Sequence, residues 1–338
     1  MPARRALLVG AGGMGQAWAK NLAGNPEVEL AGWVDIFDGT AEKAAAKLGI
    51  EGVWTGTDLA AAIDEVKPDF VVDVTIPEAH RDVTITALNH GLPVIGEKPM
   101  AHSLGAAREM IAASEKSGKL YMVSQSRRYD GRLSAYRRLI ERSAGEVGIL
   151  NADFYLGAHF GGFRDEMAHV LVLDMAIHTF DAARYLLGDD KPVAVYAEEF
   201  NPSWSWYKGA ASATCLFEMA SGARFTYRGS WCAEGKPTTW EADWRAVGPK
   251  GTALWDGASG LTAESVAGSE GFHYPVTPDS ESPDNVPSGI AGSLRDFLHA
   301  LDTGETPMGE CHDNIHSLAM VFGAIESAKT GKRVNIAD

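Results

Sequence analysis

Within the first 125 residues, five short apolar runs at 6–9, 30–35, 70–74, 93–96 and 121–124 alternate with helix-like stretches at 14–23, 40–48, 58–66, 81–89 and 103–117. The runs are apolar nearly throughout rather than at every second position. Strands of that kind need covering on both faces, and a helix between each pair of strands supplies the cover. The pattern predicts an α/β fold with a doubly wound parallel sheet. In such open sheets ligands bind beyond the carboxyl ends of the strands. The residues that immediately follow the runs are therefore the ones to read for chemistry.

After the first run comes Gly10-Ala11-Gly12-Gly13-Met14-Gly15, a G-x-G-x-x-G pattern between a strand and a helix. Gly10 permits the tight turn, Gly12 lets the backbone approach a pyrophosphate, and Gly15 lets the helix pack against the sheet. The helix start then offers N–H groups and partial positive charge to phosphates. Asp35 ends the next run, 20 residues after Gly15, where a carboxylate binds adenosine ribose hydroxyls. It repels a 2′-phosphate, and Ile36-Phe37-Asp38 brings no arginine, so NAD is expected rather than NADP.

After the fourth run comes Glu97-Lys98-Pro99. The lysine sits at the ligand-binding edge, and the proline holds its backbone out of the helical region. The Lys98–Pro99 bond is a candidate for the cis form.

Beyond residue 125 the pattern changes. A helix is expected at 132–141, a strand at 150–156, a Gly-rich loop at 159–164 and an amphipathic helix at 174–187. Strands follow at 193–199, 213–217, 223–230, 239–247 and 252–255, with few helices between them, which predicts a second, α+β domain with a largely antiparallel sheet. The Gly-, Ser- and Pro-rich stretch 257–290 is expected to be a surface loop, and two closing helices are expected at 291–301 and 313–330. Six of the nine tryptophans lie between 204 and 255. Packing or an interface accounts for most of them, and Trp204 and Trp206 suit a substrate lid or a neighbouring subunit.

Net charge is −15 over 338 residues, which argues against nucleic acid or an anionic membrane as partner. No apolar run approaches the length needed to span a bilayer. Cys215, Cys232 and Cys311 show no metal or disulfide spacing, so a reducing, cytoplasmic setting and no metal are expected.

The segment Leu173-Asp174-Met175-Ala176-Ile177-His178 places a carboxylate and an imidazole four apart on one helical face. That spacing suits a surface ion pair or a core histidine. It also suits alcohol oxidation, in which histidine takes the hydroxyl proton, the carboxylate orients ring or substrate, and Lys98 steadies the developing alkoxide or lowers the pKa of the acid–base group. Arg164 and His169, in the loop region before this helix, are candidates for contact with substrate (Arg164 with the cofactor amide or substrate hydroxyls) and equally for solvent-facing positions.

The 10–15 loop, Glu97-Lys98-Pro99, Ser126-Arg127-Arg128-Tyr129 and Asp174…His178 occur in the order seen in the Gfo/Idh/MocA oxidoreductases, and the chain resembles that family over essentially its whole length. The resemblance implies a Rossmann domain at 1–126 and a substrate-binding and oligomerisation domain at 127–338 with a large open sheet. It implies hydride transfer between a nicotinamide cofactor and a secondary hydroxyl or ketone of a sugar, inositol or related polyol. Lys98, Asp174 and His178 would be catalytic. Gly10, Gly12, Gly13, Met14, Gly15, Asp35, Thr75, His80, Glu97 and Lys98 would line the cofactor, with Thr75 and His80 in the loop that follows the run at 70–74, the fourth strand of the resembled fold. Arg128, Arg164 and His169 would join Asp174 and His178 at the substrate, in a homodimer or homotetramer built through the open sheets. Two departures stand out. Thr75-Ile76-Pro77 replaces Thr-Pro, and Ala168-His169-Val170-Leu171 replaces a Gly-rich run. Redox-neutral cleavage of a glycoside on the same scaffold, and a sugar or nucleotide sensor, stand as alternatives.

Overall fold

A computed structural model describes residues 3–278 and 287–336. They divide into two compact units, 1–126 with 287–315, and 127–286 with 316–338.

The first unit is built on a parallel sheet of β1 (Arg4–Val9), β2 (Val28–Val34), β3 (Trp54–Gly56), β4 (Phe70–Asp73), β5 (Val94–Glu97) and β6 (Tyr121–Ser124), in the order β3-β2-β1-β4-β5-β6. All residues of β4, β5 and β6 are buried, as the unbroken apolar runs require. Two of the helices between these strands are capped by side chains: Asp58 accepts from the Ala61 N–H and Ser103 from the Ala106 N–H. The three residues of β3 are too few to show a period, and the sequence pattern misses them. Strand order reverses between β1 and β4, so the segments after these two strands face the crevice in which such sheets bind ligands.

The segment 287–315 belongs with this unit rather than with the second, against the boundary expected from sequence. Its helix Gly289–Thr303 sets Phe297 5.5 Å from Phe70 on β4 and Asp302 2.6 Å from Arg4 on β1. Further on, the Gly309 carbonyl accepts from the Val123 N–H on β6. The contacts that bring the chain back join residues more than 180 positions apart, which no local pattern records.

The second unit carries a nine-stranded sheet of β7 (Ile149–Tyr155), β8 (Pro192–Phe200), β9 (Ser212–Met219), β10 (Arg224–Ser230), β11 (Asp243–Gly248), β12 (Gly251–Trp255), β13 (Leu261–Ala267), β14 (Phe272–Pro275) and β15 (Val334–Asn335). Their order is β14-β13-β12-β11-β7-β10-β9-β8-β15, antiparallel except where β7 pairs with β10. β13 and β14 lie inside the stretch expected to be a loop. β13 buries only small side chains, Ala263 and Ser265, so its alternation is faint, and β14 is exposed throughout. Residues 279–286 of that stretch lie outside the described residues.

Helices cover one face of this sheet. Tyr136 of the helix Gly131–Ser143 lies 5.7 Å from Trp255 and donates its hydroxyl to the Ala253 carbonyl. Phe180 of the helix Ile177–Leu186 packs edge-on against Phe217, Phe225 and Tyr227 at 4.9, 6.2 and 5.3 Å. The opposite face carries the row Tyr196, Leu216, Thr226, Asn151, Arg245, Leu254 and Thr262, paired strand by strand. Tyr196 is 51% exposed and Leu216 43%. A concavity of about 710 Å³ lies on this open face, lined among others by Asn151, Asp153, Thr226 and Arg228.

Candidate active site

In the first unit the 10–15 loop has the shape a dinucleotide needs. Gly10 has φ +100°, and a Cβ there would lie 2.5 Å from the Val74 carbonyl oxygen. At Gly15 a Cβ would meet the Gly10 carbonyl at 2.1 Å, so the helix Gly13–Ala23 can approach β1 only with glycine at that position. Nothing lies within 4 Å of a Cβ built at Gly12 or Gly13. That open space, at a helix N-terminus with no side-chain cap, fits a pyrophosphate. Met14, half-exposed, borders it.

Asp35 follows β2. Its Oδ2 accepts from the Ala11 N–H at 2.8 Å and its Oδ1 from the Phe37 N–H at 3.0 Å. The carboxylate is thus fixed against the glycine loop, and each oxygen keeps a second lone pair for a ribose hydroxyl. These are the groups required of a Rossmann cofactor site, and the residues present fit it.

A second carboxylate, Asp73 at the end of β4, organises the next segment. Its Oδ1 accepts from the Thr75 N–H and hydroxyl at 3.1 and 2.7 Å and lies 3.0 Å from His80 Nδ1. Its Oδ2 accepts from the Thr84 hydroxyl at 3.1 Å. Thr75 lies in the loop after β4 as expected. His80 does not: it lies on the helix Pro77–Asn89, buried against Asp73. Burial opposes charge on this imidazole, but Asp73, by its charge and hydrogen bond, outweighs it with help from Glu97 and Glu78, so the pKa is raised. Asp73 itself is missed by sequence reasoning. The only signal for it was a carboxylate closing an apolar run.

Glu97 ends β5 and is buried. It accepts from the Trp18 indole at 2.7 Å and from the Lys98 N–H at 3.2 Å. Burial pushes its pKa up, against Trp18 and Lys98, which pull it down. The Lys98–Pro99 peptide is cis, and Lys98 is half-buried at the sheet edge.

In the second unit, Asp174 lies in a π-helical turn, Leu171–Ala176, which runs into the α-helix holding His178. The expected helix start becomes a wider coil, a local form that recurs at functional sites. The anchor is Phe180, two residues after His178. Arg164 Nε donates to Asp174 Oδ2 at 2.5 Å, and its guanidinium lies over Phe163 and Phe160 at 4.7 and 5.4 Å. His169 Nδ1 lies 2.8 Å from Glu199 Oε2 on β8. Trp206 stacks on His159 at 3.7 Å, while Trp204 is 70% exposed with its N–H on the Cys232 carbonyl.

Arg128 departs from expectation. Instead of meeting substrate it is buried, with Nε and Nη2 each 2.8 Å from an oxygen of Asp181 and Nη1 2.9 Å from Asp189. Two parallel N–H···O bonds in a buried setting are a structural use of arginine.

Comparison with known proteins agrees with this geometry. Residues 4–125 match the model described as the oxidoreductase family, NAD-binding Rossmann fold, and residues 106–254 match the GFO/IDH/MocA C-terminal domain. The chain belongs to the GFO/IDH/MocA oxidoreductase family. Its Rossmann unit is the NAD-binding domain of that family. Among its relatives, the scyllo-inositol 2-dehydrogenase (NAD(+)) of Bacillus subtilis is 28% identical over 98% of this chain and 96% of its own. The inositol 2-dehydrogenase of Rhizobium meliloti is 26% identical over 98% of each. In fold, an oxidoreductase from Agrobacterium radiobacter, solved with NAD+, L-tartaric acid and magnesium, superposes with a TM-score of 0.84 at 24% identity over 98% of each chain. The family and these relatives make the chain an oxidoreductase of the sugar and polyol class. Among the described residues no helix is long and apolar enough to cross a membrane.

Proposed function

We propose that this protein is an NAD-dependent dehydrogenase acting on a secondary hydroxyl of a cyclitol or sugar, with NAD preferred to NADP. The observation that carries the reading is Asp174 held by Arg164 at 2.5 Å, one helical turn before His178, in a chain whose other unit presents an open pyrophosphate cradle. Gly12, Gly13 and the helix start would hold the pyrophosphate, and Asp35 the adenosine ribose. Bound NAD would supply the hydride acceptor. His178 takes the hydroxyl proton in the oxidation direction, which suits an imidazole near neutral pH. Asp174, its orientation set by Arg164, accepts a hydrogen bond from a neighbouring substrate hydroxyl. Lys98 donates to the reacting oxygen and stabilises the charge that develops there. His169, braced by Glu199, is placed to contact a further hydroxyl. The relatives named as inositol dehydrogenases support a cyclitol as the first substrate to try. The open sheet face, with Tyr196 and Leu216 exposed on it, supports a homodimer or homotetramer, and the three free cysteines suit a reducing cytoplasm.

The test is a screen of inositols, aldoses and related polyols with NAD and NADP, followed by the absorbance of the reduced nicotinamide. His178→Ala should lower kcat about 10²- to 10⁴-fold with NAD affinity unchanged. Full turnover by the variant would reject the assignment of the base, and turnover of a glycoside without net reduction of NAD would favour the redox-neutral alternative.

A further inference from the structure

We propose that Glu310, Cys311 and His312 form a site for a divalent transition metal, with Zn²⁺ as its ion, in the first unit and independent of the dehydrogenase reading. The three residues are consecutive at the start of the helix Cys311–Thr330. Their donor atoms nevertheless converge. Cys311 Sγ lies 2.9 Å from Glu310 Oε1 and 3.5 Å from His312 Nδ1, and Nδ1 lies 2.8 Å from the same Oε1. Among the described residues this is the one cluster of metal-binding side chains with all donors within 4.8 Å of one another.

The dimensions suit zinc. With a Zn–S bond near 2.3 Å and Zn–N and Zn–O bonds near 2.0–2.2 Å, tetrahedral ligand atoms stand about 3.4–3.6 Å apart. The Sγ–Nδ1 edge has that length already. The two edges to Oε1 have hydrogen-bond length and need to open by roughly half an ångström, a small rotation of one carboxylate.

A second feature points the same way. His312 Nε2 lies 3.1 Å from Glu115 Oε1, on the helix Leu104–Ser117. An Nε2–H given to a carboxylate fixes the ring and leaves Nδ1 as the coordinating nitrogen, the arrangement found behind most metal-bound histidines. The Glu310 carboxylate is itself oriented, because its Oε2 accepts from the His312 N–H at 2.9 Å. A thiolate, an imidazole and a carboxylate together select Zn²⁺ over Mg²⁺ or Ca²⁺, which take oxygen. On binding, the metal replaces the thiol proton, which passes to solvent, and takes the Nδ1 lone pair of the neutral ring whose one N–H is on Nε2. His312 is half-exposed, so the fourth position is open to water. The metal would clip the segment that returns to the first unit onto the helix Leu104–Ser117.

The experiment uses the full chain, stripped with a chelator and titrated with Co²⁺ as a spectroscopic stand-in for Zn²⁺. One equivalent of Co²⁺ should produce a thiolate-to-cobalt charge-transfer band and the strong visible bands of a four-coordinate ion, and Zn²⁺ should displace it. Cys311→Ser should abolish the charge-transfer band, and Cys215→Ser should keep it. Because Cys311 is buried, the exposed Glu115→Gln is the second variant, and it should weaken Co²⁺ affinity about 10-fold or more with the band retained. Absence of the band in the wild type, or its survival in Cys311→Ser, overturns the site, as does unchanged affinity in Glu115→Gln.

Discussion

Arg164 holds Asp174 by a 2.5 Å hydrogen bond from Nε to Oδ2, and the arginine is itself seated over the rings of Phe160 and Phe163. The carboxylate expected to bind substrate is thus oriented by a side chain that sequence had cast as a substrate ligand in its own right. The π-helical turn and the loop with left-handed Gly161 and Gly162 are the two backbone features flanking this pair.

Removing the arginine should therefore damage the reaction through Asp174. A charge-assisted hydrogen bond is worth about 1.5–3 kcal/mol, so Arg164→Met should lower kcat/KM roughly 10- to 100-fold. Arg164→Lys should recover little, because an ammonium lacks the planar guanidinium that is seated over Phe160 and Phe163. Steady-state kinetics on whichever polyol the screen identifies gives the answer. A loss no larger than twofold would show that Asp174 needs no such support.

Arg128 belongs to stability rather than to substrate. Its buried bidentate pair with Asp181 is extended by Ser317, whose hydroxyl donates to Asp181 Oδ1 at 2.7 Å. Arg128→Met strands a buried carboxylate and should cost about 3–5 kcal/mol in denaturant unfolding. Arg128→Met with Asp181→Leu should restore much of that, since both charges are then gone. KM for substrate should stay within twofold in whatever fraction folds. A variant of normal stability with a raised KM would return Arg128 to the substrate site.

These two arginines show what the sequence can carry. The strands of the parallel sheet were legible because burial on both faces leaves an unbroken apolar run, and the 10–15 loop because its glycines answer to backbone geometry alone. Arg128 was misread because its partner lies 53 residues away, and the family motif around it names a position rather than a contact. β13 escaped because its inward residues, Ala263 and Ser265, are too small to mark a period. Asp73 was overlooked because a hub is defined by Thr75, His80 and Thr84 converging on it, and only Thr75 is close enough in sequence to hint at this. Segment 287–315 belongs with the first unit, which the sequence does not show, because helix Gly289–Thr303 displays an apolar face without displaying the surface that receives it.

Cofactor preference should follow Asp35. Its carboxylate is fixed by the Ala11 and Phe37 N–H groups, and Ile36 and Phe37 beside it are exposed. Asp35→Ser with Ile36→Arg removes the repulsion and supplies a partner for a 2′-phosphate. The preference between NAD and NADP should fall by about 10-fold or more and move towards NADP, given that hydrogen bonds to a charged acceptor are worth about 1.5–3 kcal/mol. A wild type that already turns over NADP with the higher kcat/KM would end this reading before any mutation is made.

The pair of His80 and Asp73 should make the Rossmann unit sensitive to pH. The His80 pKa is raised in the folded chain because Asp73 outweighs the cost of burial. A group with a raised folded-state pKa binds its proton more tightly when folded, so protons favour the native state. The contribution is therefore fully present below the unfolded value of about 6.5 and is lost as pH rises through the higher folded value. His80→Gln keeps a neutral donor towards Asp73 and removes only the charge. Wild type without cofactor should exceed this variant by about 1 kcal/mol at acid pH, the difference between a charged and a neutral hydrogen bond. Above the folded-state pKa the two should converge. Urea unfolding of both proteins across the neutral range measures the difference directly, and an advantage of wild type that grew with pH would mean that the buried imidazole is neutral in the fold.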